Sequence, residues 1–295
     1  MSIIKSLSVG EGDMFYINHN SDNFTIIDCC MPEENRVDIV KELKSQSRGK
    51  GIVRFISTHP DDDHILGLAY LNEEMPIINF YCVKNEATKT DLTNDFEEYC
   101  ALRDDLRKAF YLHQRCFRKW MNETNEERGS SGITILWPII ENEHYKDALE
   151  NAKEGESPNN ISPIVKYSLE DSAKILWMGD LETEFMERIL DELEVDSADV
   201  LFAPHHGRDS GKVPGEWLER INPKIIIIGE APSENLNYYD GYNTITQNSA
   251  GQIVLECVSG KIHIFVSSPS YFVDFLDDEH KDSTYGNYIG TLNLM

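Results

Sequence analysis

Short apolar runs rich in β-branched and aromatic residues recur along the chain, separated by polar turns. They read as strands at 24–28, 52–57, 77–83, 133–137, 164–168, 173–178, 200–203, 224–229, 252–257 and 261–266. Helical spacing fills several gaps, at 36–46, at 182–193 with Phe185, Ile189 and Leu193 on one face, and at 214–221. The longest helical pattern is 92–127, charged throughout, with Phe96, Leu102, Leu106, Phe110, Phe117 and Trp120 as a rough stripe. It reads as a helical insertion over the sheet near a site mouth, or as an ordinary packing helix pair. The polar stretch 141–160, with Gly and Pro, reads as a long surface loop. The tail 267–295 mixes aromatics with acids and docks either on the domain or on a partner. No internal repeat is visible.

Composition narrows this to a globular α/β protein. With 295 residues, 40% hydrophobic, the chain can bury a sizeable core as one large domain or two smaller ones. No run of apolar residues is long enough to span a bilayer, and the first residues lack a signal-peptide apolar stretch. The expected location is cytoplasmic. Six cysteines without a C-x-x-C pair fit thiols in a reducing compartment better than a disulfide frame. A net charge of −25 disfavours a nucleic-acid binder that relies on a basic face. It leaves room for an enzyme taking a phosphodiester where bound cations reverse the local sign.

The stretch ISTHPDDDHILGL, 56–68, sets three aspartates in a row between two histidines, directly after an apolar strand. Each carboxylate raises the cost of ionising the next, so the turn needs a compensating cation, a surface lysine or a bound metal. Pro60 ends the strand pairing and fixes the turn. Open α/β sheets present ligands at strand carboxyl ends, where His59, Asp61, Asp63 and His64 can converge. Imidazole plus carboxylate is the ligand set of zinc and manganese; the plain alternative is a solvated acidic turn with capping aspartates. Two further strand ends weigh against that alternative. In ILWMGDLE, Asp180 follows an apolar strand and a glycine. In LFAPHHGRDSG, His205 and His206 leave another, and Gly207 permits close backbone approach.

Taken together these motifs resemble the metallo-β-lactamase superfamily of dinuclear hydrolases, whose usual signature is His-x-His-x-Asp-His. The nearest branch is that of the soluble hydrolase domain of ComEC-type DNA-uptake proteins. That branch has aspartate where Asp61 stands. Val9-Gly10-Glu11-Gly12-Asp13, Ile26-Ile27-Asp28, Asn159-Asn160-Ile161-Ser162, Gly179-Asp180 and Pro204-His205-His206-Gly207 follow its other motifs in order. The resemblance runs from Val9 to about Val266. It implies an αββα sandwich in a single domain, 1–295, with the metals at one edge between the sheets. The chain departs from the superfamily in lacking the third-motif histidine, where Asn160 or Ser162 stands as in the branch. In the late histidine's region it offers Tyr238, Tyr239 and Asp240.

The resemblance further implies two divalent ions, Zn²⁺ or Mn²⁺. His59 and Asp61 would hold one, and Asp63, His64 and His205 the other, with Asp180 bridging. Hydrolysis would use a metal-bound hydroxide formed near neutral pH, oriented by Asp63. His206 would donate a proton to the leaving group, or be the ligand itself with His205 behind it; position favours His205 as ligand. Arg208 is a candidate clamp for a substrate phosphate, and Asn160 and Ser162 are candidate substrate contacts. Asp13 and Asp28 have no obvious metal role; Asp28 fits as a partner of a loop or of a ligand histidine's second nitrogen. The expected function is metal-dependent hydrolysis of phosphodiesters, by a nuclease or nucleotide phosphodiesterase. The alternatives are a small-ester or lactam hydrolase and an interaction module with a degenerate metal site. Expected partners are a nucleotide or nucleic-acid substrate, no membrane, and a protein partner or second copy through the insertion or the tail.

Overall fold

The apolar runs pair into two sheets. The chain opens with a meander, β1 (Ser2–Ser6), β2 (Phe15–Asn18) and β3 (Asn23–Ile27), and α1 (Arg36–Gln46) crosses to β4 (Ile52–Ile56), parallel to β3. A broken helix, α2 (Asp62–Ile65) and α3 (Leu68–Glu74), leads to β5 (Phe80–Cys82), and α4 (Asn94–Asp104) leads to β6 (Ala109–Tyr111). Both strands continue the parallel set. The second sheet starts with β7 (Ile133–Trp137), then α5 (Glu143–Lys153), β8 (Ile164–Ser168) and β9 (Lys174–Trp177). It continues through α6 (Thr183–Ile189), β10 (Val200–Phe202), α7 (Gly215–Ile221), β11 (Ile225–Ile228) and β12 (Thr244–Thr246). After α8 (Gln247–Ala250) the chain returns to the first sheet with β13 (Ile253–Val258), β14 (Lys261–Val266) and β15 (Asn287–Asn293). The orders are β15-β14-β13-β1-β2-β3-β4-β5-β6 and β12-β11-β10-β9-β8-β7. This computed structural model describes every residue except Asn125, within the expected insertion, and Met295, at the end of the expected tail.

Alternation along the strands decides what each face buries. Ile17, Ile27 and Ile56 of the first sheet share one core with Val165, Trp177 and Ile227 of the second, and Phe15 meets Phe202 edge-on at 4.9 Å. Residues one step out of phase, Tyr16, Phe24, Ile26 and Phe55, pack instead with Leu43, Leu71 and Tyr99 of α1, α3 and α4. Each large side chain so buried contributes about 1.5–3 kcal/mol. Tyr145, Phe185 and Trp217, from α5, α6 and α7, join the first core. The fold is mixed α/β, with two sheets and several helices. No helix among the described residues is long and apolar enough to cross a membrane.

Two expectations need correction, and one open alternative is decided. The 92–127 pattern is not helical throughout: the helix stops at Asp104, Asp105 turns extended, and β6 joins the sheet edge. Its stripe divides accordingly, with Phe96 and Leu102 buried but Leu106 and Phe117 exposed. The expected surface loop 141–160 contains α5, whose Tyr145, Ala148 and Ala152 form a buried stripe that polar neighbours disguised. The tail docks on its own domain, because β15 pairs along β14. In α5, Asn142 caps the first turn by accepting the Tyr145 N–H at 3.0 Å. Asn142→Ala should therefore cost about 1 kcal/mol of stability in urea unfolding; an unchanged midpoint would refute the cap.

Candidate metal centre

Strand carboxyl ends from both sheets deliver the site. Asp28 follows β3, the 58–64 loop follows β4, Asp180 follows β9, and His205 and His206 follow β10. The β1–β2 connection adds Asp13, whose N–H donates to the Asp63 carbonyl at 3.2 Å. The His205 N–H donates to the Gly179 carbonyl at 3.0 Å, tying two of these ends together. A Cβ at Gly179 would lie 2.6 Å from Ser162 Oγ, and one at Gly229 would lie 3.1 Å from the His206 backbone. Glycine is needed at 179, and at 229 a side chain would fit only with a shift of a few tenths of an ångström. Asp28, His205 and His206 all have left-handed backbones, φ 56°, 52° and 56°. Strain of this kind costs about 1–3 kcal/mol per residue and gathers at functional sites.

Four imidazoles face one buried carboxylate. Nε2 of His64 lies 3.0 Å from Asp180 Oδ1. Nε2 of His59, His205 and His206 lie 3.8, 3.6 and 3.6 Å from Oδ2. On three rings Nδ1 is hydrogen-bonded from outside, while on His206 it has an Asp13 oxygen nearby but no aligned bond. His64 Nδ1 bonds Asp28 at 2.9 Å, and His59 Nδ1 meets Thr58 at 3.0 Å and Ser162 at 3.2 Å. His205 Nδ1 meets Ser210 at 2.8 Å, and His206 Nδ1 lies 3.1 Å from Asp13. Outer partners of this type fix tautomer and ring direction in metal sites.

The inward atoms are left without hydrogen bonds. His59 Nε2, His64 Nε2, His206 Nε2 and Asp180 Oδ1 are buried and none has an aligned partner. Buried polar atoms are rarely orphaned, and here the orphans are nitrogen and oxygen donors of zinc or manganese type. Asp13, His64, Asp180 and His206 offer ligand atoms all within 4.8 Å of one another and can hold a metal ion. The donor set fits the cation.

Without a metal, protons take its place. Burial works against charge on His64, but Asp180 and Asp28 overcome it and hold the ring well above its ordinary pKa. His206 rises to about 10: burial opposes this, and Asp13 and Asp180 outweigh burial. Burial pulls His59 well below the ordinary value, reinforced by His64, and also pulls His205 down. Asp180 stays far below the carboxylate range, because the histidines outweigh its burial; Asp63 likewise falls to about 2.

The structure brings His59, Asp63, His64, Asp180, His205 and His206 together. Asp63 Oδ2 lies 3.4 Å from His206 Nε2. The tightest group contains His206 in place of the preferred His205, although both rings are equally distant from Asp180 Oδ2. Asp61 is not brought in: Lys89 binds it at 3.2 Å and Asp62 at 2.7 Å, so a lysine settles part of the charge in the triplet. Asn160 is not free for substrate. Its amide donates to Glu182 at 2.8 Å and accepts the Glu182 N–H at 3.0 Å. Ser162 is fully buried and serves His59 and the Asp180 N–H, which makes it a positioning residue. Arg208 is paired with Glu11 at 2.8 Å. Asp28 holds the second nitrogen of His64. Asp13 was missed as a donor; its signal was a Gly-x-Gly-Asp turn close to a strand end. No known protein family and no curated protein matches this chain in comparison.

Proton bookkeeping gives a test. His206, at about 10 against 6.5, contributes stability that is complete below pH 6.5 and is lost as pH rises towards 10; His64 acts in the same sense. His59 and His205, with depressed values, contribute above pH 6.5 and lose that contribution below it. Metal-stripped protein should melt at falling temperature from pH 6.5 towards 9, and Zn²⁺ binding should release protons. A flat melting series there, together with calorimetry showing no proton release, would sink this account. Asp28→Ala should weaken metal binding about 10–100-fold, read by competition with a chromophoric chelator.

Proposed function

We propose that the chain is a metal-dependent hydrolase of phosphodiesters, on the αββα sandwich of the metallo-β-lactamase superfamily and nearest the ComEC-type hydrolase branch. The observation that carries this is the set of four imidazoles whose Nε2 atoms face Asp180 while Nδ1 of three of them is held elsewhere. Asp13, His64, Asp180 and His206 would hold one ion. A second position would have His59 and Asp180, and is thinly liganded while Asp61 stays on Lys89. Bound Zn²⁺ or Mn²⁺ would supply Lewis acidity, lowering the pKa of water and offsetting charge at phosphorus.

The chain's own groups do the rest. Asp63, held ionised and part-exposed, can orient the attacking water by accepting its hydrogen bond. With His206 in the tight group, His205 is the ring left to hydrogen-bond the leaving oxygen; its Nε2 faces the same space and it is the more exposed of the two. An acidic surface suits a small diester or a strand end better than an extended duplex. The thin second position favours a second reading, a site holding one tight ion.

Metal analysis and a substrate panel decide between these readings. Protein loaded with Mn²⁺ or Zn²⁺ should hydrolyse bis-p-nitrophenyl phosphate in preference to a lactam, and Asp180→Ala should lose on the order of a hundredfold or more. Full turnover by Asp180→Ala refutes the assignment. One tight equivalent with the second site filling only at high metal fits the thin second position. A further expectation concerns Arg208. Its exposed pair with Glu11 is worth at most about 1 kcal/mol, so an anionic substrate can displace Glu11. Glu11→Gln should lower KM for the phosphodiester about two- to fivefold with kcat unchanged, and leave a neutral ester unaffected. Equal effects on both substrates would mean that Arg208 does not read charge.

A further inference from the structure

A second surface stands apart from the metal centre, at the far edge of the nine-stranded sheet. β6 ends that sheet, so one side of its backbone has no strand beside it. Next to it runs a groove of about 560 Å³, lined by Lys84, Leu106, Phe110, Ile140 and Leu149 among others. Leu106 and Ile140 are 79% and 51% exposed, with Phe117 nearby in sequence at 76%. Natural sheets usually blunt or cover an edge of this kind; here it is bordered by exposed apolar side chains.

The charge around the groove is opposite to that of the chain. Residues 103–119 carry six of the 27 Lys and Arg and only two of the 52 Asp and Glu, in a chain of net charge −25. Four of the neighbouring acids are already paired, Asp104 with Arg103, Asp105 with Arg107, Glu86 with Lys153 and Glu141 with Lys146, which leaves Glu150 beside Lys84 and Leu149. Among the described residues, Lys84, Lys108, Arg115, Arg118 and Lys119 have no carboxylate within 4.0 Å. Two of them lie over aromatic rings at the groove, Arg118 above Phe110 at 4.8 Å and Lys84 above Tyr111 at 5.9 Å.

We infer that the β6 edge and its groove bind an extended acidic segment of a protein partner, which adds as a strand beside β6. Main-chain pairing with β6 gives affinity, and alternate side chains enter the groove. The period of two in a strand sets the partner's chemistry: apolar residues towards Leu106, Ile140 and Leu149, and Asp or Glu between them towards Lys84 and Arg118. A second copy pairing β6 to β6 would bring these cations together, which disfavours a two-fold dimer here. The groove's rings at Phe110 and Tyr111 already carry Arg118 and Lys84 over them, so they are not open as stacking platforms for a nucleic-acid strand, which favours a peptide.

The test uses the full chain and a short fluorescein-labelled peptide alternating valine with glutamate, followed by anisotropy and by hydrogen exchange at Ala109–Tyr111. Saturable binding with slowed exchange there, weakened about tenfold by Arg118→Glu and by Ile140→Asp, supports the inference. Both side chains lie at the surface rim, so the variants should fold; their melting temperatures and metal content check this. Equal binding of a valine–lysine peptide, no saturation, or no response to either variant overturns it. Tighter binding of an oligothymidylate that depends on Arg118, or dimers in sedimentation that Ile140→Asp dissolves, overturns it in favour of another occupant.

Discussion

The candidate site depends on how one buried anion is compensated. Asp180 is 1% exposed and cannot stay ionised in a low-dielectric interior without cations against it. The chain meets that need with imidazoles from two separate loops, each placed by the carboxyl end of a strand. The cost includes left-handed backbones at His205 and His206 and a glycine at 179, where a side chain would collide with the site. These features are hard to explain as packing alone, because a hydrophobic residue at position 180 would remove the need for all of them. An outward hydrogen bond on Nδ1 of His59, His64 and His205 also leaves their inward nitrogens with no use except a cation or a proton.

The same electrostatics divides the aspartate triplet. Three adjacent carboxylates cannot share one compensating charge cheaply, and the loop sends them in different directions. Asp61 and Asp62 meet Lys89, whose ammonium also lies 5.6 Å from the Phe96 ring centre. Asp63 turns inward to His206. To the question posed by the sequence, lysine or metal, the outer side of the loop answers lysine, and the inner side faces a group that can hold a metal ion. A second ion of the kind proposed would compete with Lys89 for Asp61.

Much of this was legible from residues alone, for a physical reason. The strands that reach the core are continuous apolar runs, such as Ile225–Ile228, and the ligand-type residues sit directly after them, so the pattern and the chemistry coincide. What escaped notice lacked that coincidence. α5 hid because its buried stripe uses Ala148 and Ala152, small residues in an otherwise polar stretch. β1 hid because Lys5 lies in a buried strand, its amine satisfied by Glu42 at 2.6 Å, a partner that no local pattern reveals. The helix expected to 127 failed because spacing in a charged segment does not say whether its apolar positions have anything to pack against; Leu106 and Phe117 do not. Asp61, expected at the metal, is instead held by Lys89 for a related reason. Sequence proximity to a motif does not fix which way a carboxylate points when a lysine from another loop is in reach.

Charge on the whole molecule bears on what can approach the site. A net charge of −25 draws divalent cations towards the surface and repels polyanions, both within about a Debye length, roughly 8 Å at physiological salt. In the metal-free centre the protons on His64 and His206 offset part of the charge of Asp13, Asp63 and Asp180, and an ion that displaces them changes the net charge by less than its own two units. On the proposed function, a loaded centre would supply Lewis acidity and, where the ion's charge exceeds the protons it displaces, lower the local barrier to an anionic substrate. An enzyme built this way would show phosphodiester affinity that depends on metal more steeply than its affinity for neutral ligands, without any change in the residues that touch either.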